Sequence, residues 1–400
     1  MSQQSDKPAR SEGAGPGHNS GVPLARTIFA PEHEQFRDSV RRFIAAEMLP
    51  HYAKWEEAGI APREIWLKAG AAGILGTSIP EEYGGSGGDF YFDAVVVEEL
   101  SRHFLAGPAW ELHSYIVAPY LLRHGTEAQK QRWLPKMASG EVIASIAMTE
   151  PDGGSDLKAV RTTAVRDGDD YVINGSKTFI TNGIAGDMVL LVAKTAPALG
   201  AKGISLFLVD TSLPGYRKGR NLKKIGNKAS DTAELFFDDV RVPADCLLGG
   251  ENDGWRCLMT ELVQERLLVA VRAMATCEAA LAETIEYTRL RKAFGQTVFE
   301  FQNTRFKLAD AAAEIQVGRV FVDRCIELHV EGRLDARTAA MAKLWTTEVQ
   351  QHVLDDCLQL HGGYGYMWEF PIARAWADAR VHRIYAGTNE IMREIIARGL

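Results

Sequence analysis

The stretch Asp167-Gly168-Asp169-Asp170-Tyr171-Val172-Ile173-Asn174-Gly175-Ser176-Lys177-Thr178-Phe179-Ile180 decides the fold. Two groups of turn residues flank the aromatic and β-branched run Tyr171–Ile173, and a second such run, Thr178–Ile180, follows. Asn-Gly accepts the positive φ that a two-residue turn needs, so Asn174-Gly175 is expected to close a tight hairpin. Short apolar runs at Met188–Val192, Ile204–Val209 and Glu234–Phe237 read as further strands. Several short strands in roughly 100 residues predict a β-barrel or sandwich.

Outward from this region the period becomes helical. On the N-terminal side, Phe36, Val40, Phe43 and Ile44 recur at three- and four-residue spacing and share one helix face. Pro80 and Tyr83-Gly84-Gly85-Ser86-Gly87-Gly88 break the pattern, and Val95, Val96, Val97 and Leu100 resume it. Nothing in this third looks catalytic by itself. On the C-terminal side, Glu261–Arg289, Gln302–Val330 and Ala336–Leu360 lack proline and are rich in Ala, Leu and Glu, which predicts a helical bundle. The expected organisation is an α+β multi-domain chain: a disordered tail over 1–25, an N-terminal helical domain over 26–142, a middle β-domain over 143–253 and a C-terminal helical bundle over 254–400.

Composition narrows the class. Of 400 residues, 46% are hydrophobic and 24% charged, which excludes a wholly disordered chain. The 45 Lys and Arg against 52 Asp and Glu leave a net charge of −7, so nucleic acid is not an expected partner. Apolar runs such as Met188–Ala193 are too short for a transmembrane segment. Five cysteines without a CxxC pair argue against a disulfide framework or a cysteine zinc site. The histidines show no HxxxH or HxH spacing, so no metal is expected. Residues 1–25 hold neither a signal-peptide core nor an Arg-rich amphipathic stretch, and Arg398-Gly399-Leu400 is not a peroxisomal signal, so a cytoplasmic location is expected.

Three motifs carry chemistry. In Met148-Thr149-Glu150-Pro151-Asp152-Gly153-Gly154-Ser155-Asp156 the glycine pair lets backbone N–H groups and a hydroxyl approach an anion, although an ordinary turn reads the same way. It is not a GxGxxG fingerprint, and no strand–helix–strand unit surrounds it, which disfavours a nicotinamide site. Leu360-His361-Gly362-Gly363-Tyr364-Gly365-Tyr366 ends a long helix, where one glycine is expected as a cap and three among aromatics point to a flat or phosphorylated ligand. Arg291-Lys292-Ala293-Phe294-Gly295, followed by Gln302, sets an Arg at a helix end. Such an Arg binds pyrophosphate or sits in solvent, and spacing alone favours solvent.

Together these segments resemble the acyl-CoA dehydrogenase family. Ala147–Pro151 with Gly154-Ser155-Asp156, Arg291–Gly295, Gln359–Gly365 and Ile384-Tyr385-Ala386-Gly387-Thr388-Asn389-Glu390-Ile391 occur in family order, and the match runs from about Ile28 to Leu400. The resemblance implies N-terminal helices, a middle β-domain and a C-terminal four-helix bundle. It also implies bound FAD, a homotetramer built as a dimer of dimers, an acyl-CoA substrate, and electron delivery to an electron-transfer flavoprotein. By resemblance, Met148, Thr149, Gly154 and Ser155 lie against the flavin, and Ser155 also faces the CoA chain. Phe179, Ile180 and Thr181 match a Trp-Ile-Thr segment beside the flavin ring; Phe179 keeps a stacking face and lacks the indole donor. Arg291, Phe294 and Gln302, with Gln359, Leu360, His361, Gly362 and Gly363, resemble residues that hold the adenosine and pyrophosphate of a neighbouring subunit's FAD. Thr388 and Glu390 close the site from the last loop.

The catalytic base is the most informative point. Removing a proton from the α-carbon and a hydride from the β-carbon of a thioester requires a positioned carboxylate in a dry site. Many family members place it in an Ile-Tyr-Glu-Gly-Thr motif, where this chain has Ala386, followed by Gly387. A subset that includes the long-chain and isovaleryl enzymes carries the base on a bundle helix before an Arg, and Gln264-Glu265-Arg266 stands there. Glu265 is the expected base, with Leu262, Val263 and Arg266 beside the substrate. On a helix alone, Glu265 reads first as a surface carboxylate paired with a basic neighbour, and Glu261, one turn earlier, is expected to be one. The motifs resemble most closely those of the long-chain enzymes. Tyr385 departs from the isovaleryl pattern, while Ala386 leaves room for branched chains. An oxidase of the same fold and a non-catalytic flavoprotein are the alternatives.

Overall fold

The computed structural model describes residues 24–400, so the expected tail lies, up to residue 23, outside the described residues. The N-terminal layer holds α1 (Pro31–Phe43), α2 (Tyr52–Ala58), α3 (Arg63–Ala71), α4 (Phe90–Arg102), α5 (Ala118–His124) and α6 (Glu127–Ser139). Local rules place their ends: Thr126 and Gln129 form a capping box at the start of α6, and Gly140, at φ +78°, ends it. The predicted apolar pattern of α4 is buried because that helix packs between α1 and α7 (Gly254–Leu290). Its two carboxylates, Glu98 and Glu99, are buried with it and are met by Arg26, Arg37, Arg41 and Arg319, which satisfies charges that burial would otherwise penalise.

The middle domain is one sheet of β1 (Ala144–Ala147), β2 (Thr163–Asp167), β3 (Asp170–Thr181), β4 (Met188–Lys194), β5 (Ile204–Asp210), β6 (Tyr216–Asn221), β7 (Thr232–Pro243) and β8 (Leu247–Leu248). The strands run β6-β7-β3-β2-β4-β5-β8, with β1 parallel to β4. Alternation within β4 explains its unbroken apolar run. Met188, Leu190 and Val192 face a cluster shared with α5 and α6, while Val189, Leu191 and Ala193 face an inner cluster with Tyr171, Phe207 and Phe237.

The expected hairpin at Asn174-Gly175 is not there. The tight turn is Gly168-Asp169, with Asp167 paired to Asp170, and β3 runs straight through Asn174-Gly175 as a bulge against β7. The reason is tertiary. The Asn174 side chain exchanges two hydrogen bonds of 2.9 Å with Asp239 on β7, so it ties two strands rather than turning the chain. Gly175 sits at φ +151°, and a Cβ there would lie 2.4 Å from Thr162 Oγ1, so the bulge admits only glycine.

The C-terminal domain holds α7, α8 (Gln302–Val330), α9 (Ala336–His361), α10 (Pro371–Ala379) and α11 (Asn389–Ala397). The short hairpin β9 (Lys292–Ala293) and β10 (Gln296–Thr297) links α7 to α8. Among the described residues, no helix is long and apolar enough to cross a membrane.

Candidate active site

Glu265 lies on α7 with 6% of its surface exposed, in the middle of a helix that packs on both the N-terminal layer and α9. It is not a surface carboxylate. Tyr120 Oη of α5 donates to Glu265 Oε1 at 3.1 Å. Burial pushes the carboxyl up to about 7, against the opposing pull of the Tyr120 hydrogen bond and of Arg266. Glu261 is paired with basic neighbours as expected, but it is not at the surface either. It is buried, accepting from Arg123 Nη1 at 2.7 Å and facing His124 Nε2 at 3.1 Å, because α5 packs over that face of α7. Contact with the Cys257 thiol and Glu261 pushes His124 up to about 9. Leu262 is buried one turn before Glu265, and Val263 is half-buried.

Arg266 is also buried, and among the described residues its Nε has no hydrogen-bond partner. Burial lowers the pKa of this guanidinium, so it is a cation in want of an oxygen. The last loop closes beside it: a Cβ placed on Gly387 would lie 4.0 Å from Arg266 Nη2 and 2.8 Å from Met392 Cε. Ala386 and Gly387 both take left-handed backbone, at φ +53° and +88°. Lys343 on α9 fixes that loop, donating to the Gly387 carbonyl at 2.9 Å and Asn389 Oδ1 at 2.8 Å. Thr388 caps α11 through the Ile391 amide, and Glu390 is exposed on its first turn.

The Met148–Ser155 loop follows β1. Met148 packs on the apolar cluster that also holds Tyr120, which links this loop to the Glu265 side of α7. The Thr149 carbonyl accepts from Thr178 at 2.9 Å, so loop and strand β3 are stitched together. Gly154 and Ser155 are exposed, and a Cβ on Gly154 would meet nothing closer than Thr149 Cγ2 at 4.0 Å. Phe179 sits where β3 slips register against β7, at φ +60°, and 69% of it is exposed between the buried Thr178 and Ile180. Such a backbone outlier in mid-strand turns an aromatic face outward. Thr181 is half-buried two residues on.

The remaining residues form a separate place. Arg291, at the end of α7, joins Gln359, Leu360, His361, Gly362 and Gly363 around an open cleft of about 410 Å³ that Tyr287, Tyr364 and Met367 also line. A Cβ on Gly362 or Gly363 would meet nothing within 4 Å, and Gly362 takes φ +59°. Arg291 is exposed and, among the described residues, has no carboxylate partner; the nearest cation contact is its stack on Tyr364 at 5.5 Å. Phe294, 97% exposed on the β9–β10 turn, and Gln302, exposed at the start of α8, stand outside this cleft. No β-domain residue lines it.

The sequence reading missed Tyr120 and Lys343. An isolated helix aromatic reads as core, and a lone buried lysine carries no motif. It also missed the pair behind the loop. Glu150 accepts from Lys177 Nζ at 2.9 Å, Thr162 Oγ1 at 2.6 Å and the amides of Arg161 and Thr162, a set made by residues far apart in the chain.

These features fit a flat, phosphorylated cofactor. The exposed Phe179 ring faces outward from the strand stitched to a loop of open glycines, and Arg291, with no carboxylate partner among the described residues, lines a cleft with a second glycine pair. Comparison with known proteins agrees. Models of the acyl-CoA dehydrogenase N-terminal, middle and C-terminal domains match residues 30–141, 145–240 and 252–400. The chain is 54% identical over 375 residues to the long-chain specific acyl-CoA dehydrogenase, mitochondrial, of Sus scrofa, covering 93% of this chain and 87% of that one. Among solved structures it resembles an acyl-CoA dehydrogenase from Geobacillus kaustophilus, at TM-score 0.91 and 49% identity over 93% of this chain and 98% of that one. It also resembles a chain solved in work on the electron transferring flavoprotein of Acidaminococcus fermentans, at TM-score 0.89 and 36% identity over 93% and 98%. With three domain models in register on the helical, β and helical layers just described, the chain belongs to the acyl-CoA dehydrogenase family of FAD-dependent oxidoreductases.

Proposed function

We propose that the protein dehydrogenates long-chain acyl-CoA thioesters, straight or branched, to the trans-2-enoyl thioesters and passes the electrons to an electron-transfer flavoprotein. The observation that carries this reading is Glu265, a buried carboxylate near neutrality on the helix that faces the closing loop, with one oxygen held by Tyr120 and the other free of donors among the described residues. FAD, held at the Met148–Ser155 loop and Phe179, would supply the acceptor for the β-carbon hydride. Glu265 takes the α-proton, and its burial makes it a stronger base than an exposed carboxylate at the cost of needing near-neutral pH to ionise. Arg266, with its unpartnered Nε, meets an oxygen of the thioester or CoA portion. Ala386 leaves the family's other base position empty, and Lys343 keeps Ala386-Gly387 in place over the site. The 54% identity to a long-chain specific enzyme supports the chain length, and the likeness to a chain from electron-transferring flavoprotein work supports the acceptor.

The test is anaerobic mixing with acyl-CoA of graded length. Long chains are expected to bleach the flavin fastest, with colour returning on addition of electron-transfer flavoprotein and slowly in air. Stoichiometric peroxide in air would make the protein an oxidase, and no bleaching with any acyl-CoA would leave a non-catalytic flavoprotein.

Assembly is part of the reading. In the family-like homotetramer, the Arg291 cleft receives the adenosine and pyrophosphate of the neighbouring subunit's FAD, consistent with a lining that includes no β-domain residue. Arg291→Ala is expected to weaken FAD retention on dilution by ~10–100-fold, the scale of one charge-assisted bidentate contact. Unchanged retention, in a protein shown to be monomeric, would refute this.

A further inference from the structure

Glu265 is aimed by a residue from another domain. Tyr120 is fully buried on α5, and its phenol reaches across the domain boundary to Glu265 Oε1 at 3.1 Å. Among the described residues no other donor reaches either carboxylate oxygen, so Oε2 is left unengaged. A glutamate in mid-helix has three side-chain torsions to fix, and packing alone does not choose which oxygen points at the substrate. We propose that Tyr120 is a positioning residue for the base: it pins Oε1, presents Oε2 to the α-carbon and favours the ionised carboxylate in an apolar site. The inference rests on the assignment of Glu265 as base.

The electrostatic surroundings are defined. Arg266 and Glu261 face Glu265 from α7 itself; Tyr120 faces it from α5, where Arg123 and His124 neutralise Glu261; Lys343 on α9 stands behind Arg266. Of these, only the phenol donates a hydrogen bond to the base. A donor to a carboxylate stabilises the charged form, so losing it raises the pH needed to ionise the base. The carboxylate still accepts the proton on Oε2 while Oε1 stays bonded to the phenol, so no proton need leave Tyr120 during the step.

Tyr120→Phe keeps the ring and removes the donor. The rate of flavin reduction by a long-chain acyl-CoA at neutral pH is expected to fall about tenfold, the worth of one hydrogen bond to a charged group. The pH at which that rate is half-maximal is expected to rise by about one unit, with FAD retention and acyl-CoA affinity unchanged. Replacing Tyr120 with a fluorinated tyrosine, a more acidic donor of nearly the same shape, moves the same midpoint downward and serves if Tyr120→Phe fails to fold. Tyr115→Phe is the control. That phenol is equally buried but bonds the Ile74 carbonyl, and its loss leaves the midpoint in place. In a Glu265→Gln background, Tyr120→Phe adds no further slowing. If Glu265→Gln reduces flavin at the normal rate, the base assignment falls and this inference with it. If Glu265→Gln is slow but neither Tyr120 variant moves the midpoint, the base stands and the role of Tyr120 is overturned.

Discussion

Glu265→Gln is expected to slow reductive bleaching of the bound flavin by about 10²–10⁴-fold, with FAD and acyl-CoA still bound. Glutamine keeps the volume, and its carbonyl still accepts from Tyr120, so the site keeps its shape and loses only the carboxylate proposed as base. The wild-type rate should climb as pH rises through about 7, the value to which burial lifts this carboxyl, whereas the residual rate of the variant should be flat there. Stability should move the other way. The folded state prefers the neutral carboxyl, so that contribution is fully present below the unfolded pKa of 4.5 and is lost as pH rises through about 7. The glutamine variant should therefore gain on the wild type across that window, by an amount on the order of 3 kcal/mol, read from melting of the flavin-free protein at several pH values. Ala386→Glu in the Glu265→Gln background should restore part of the rate. Residue 386 already has left-handed backbone with a Cβ, so the longer side chain adds no new backbone strain. Glu261→Gln should act differently. It takes the anion from the largely buried His124, while Arg123 keeps Gln264, and so lowers stability, and it removes a negative neighbour that raises Glu265, shifting the rate midpoint slightly down. Normal bleaching by Glu265→Gln together with failure of Glu261→Gln would mean that the wrong carboxylate has been named.

How much of this was legible in the sequence depends on the range of the interactions. Helices α7, α8 and α9 follow from long proline-free segments, and β4 and β5 from apolar runs, because local periodicity sets them. Asn174-Gly175 misled because its hairpin signal is local, whereas its bulge is fixed by Asp239 and Thr162, both distant in the chain. Glu261 misled for the same reason: helix spacing identifies a face, and only the docking of α5 shows that the face is buried. The site residues on the Met148 loop, Phe179 and Glu265 were named through family motifs. The residues that hold them in position, Tyr120, Lys343 and Lys177, lie outside those motifs and are joined to them only by tertiary packing. Arg291 and Gly362-Gly363 do meet, but in a cleft that contains no β-domain residue, a division that a single chain's sequence does not display.

The second large effect is expected at Glu150, which touches no reacting atom. Its carboxylate is buried beneath the Met148–Ser155 loop and accepts from Lys177, the Thr162 hydroxyl and two backbone amides. Burial would raise this acid, but Lys177, Thr162 and the Arg161 amide together hold it below the ordinary carboxylate range. Lys177, fully buried, is lowered to about 8 by burial despite that partner and also donates to the Met148 carbonyl at 3.0 Å. One ion pair thus fixes the backbone on which Met148, Thr149 and Ser155 stand. Glu150→Gln turns one accepting oxygen into a donor facing other donors and leaves Lys177 without an anion. Breaking one side of a buried pair costs about 3–5 kcal/mol. The variant should melt several degrees lower and release FAD faster, while any enzyme still holding FAD should keep Glu265 and its near-neutral rate midpoint. Adding Lys177→Met removes the stranded ammonium and should recover part of the stability without recovering FAD retention, because the loop anchor is still absent. Acid should mimic the first change: the stability that Glu150 supplies is present above its ordinary range and is lost only as pH falls below it. Flavin release from wild type should accelerate there and not between pH 5 and 7, a window in which Glu150 stays ionised. Glu150→Gln with unchanged melting and unchanged FAD retention would show that the loop is held by something else.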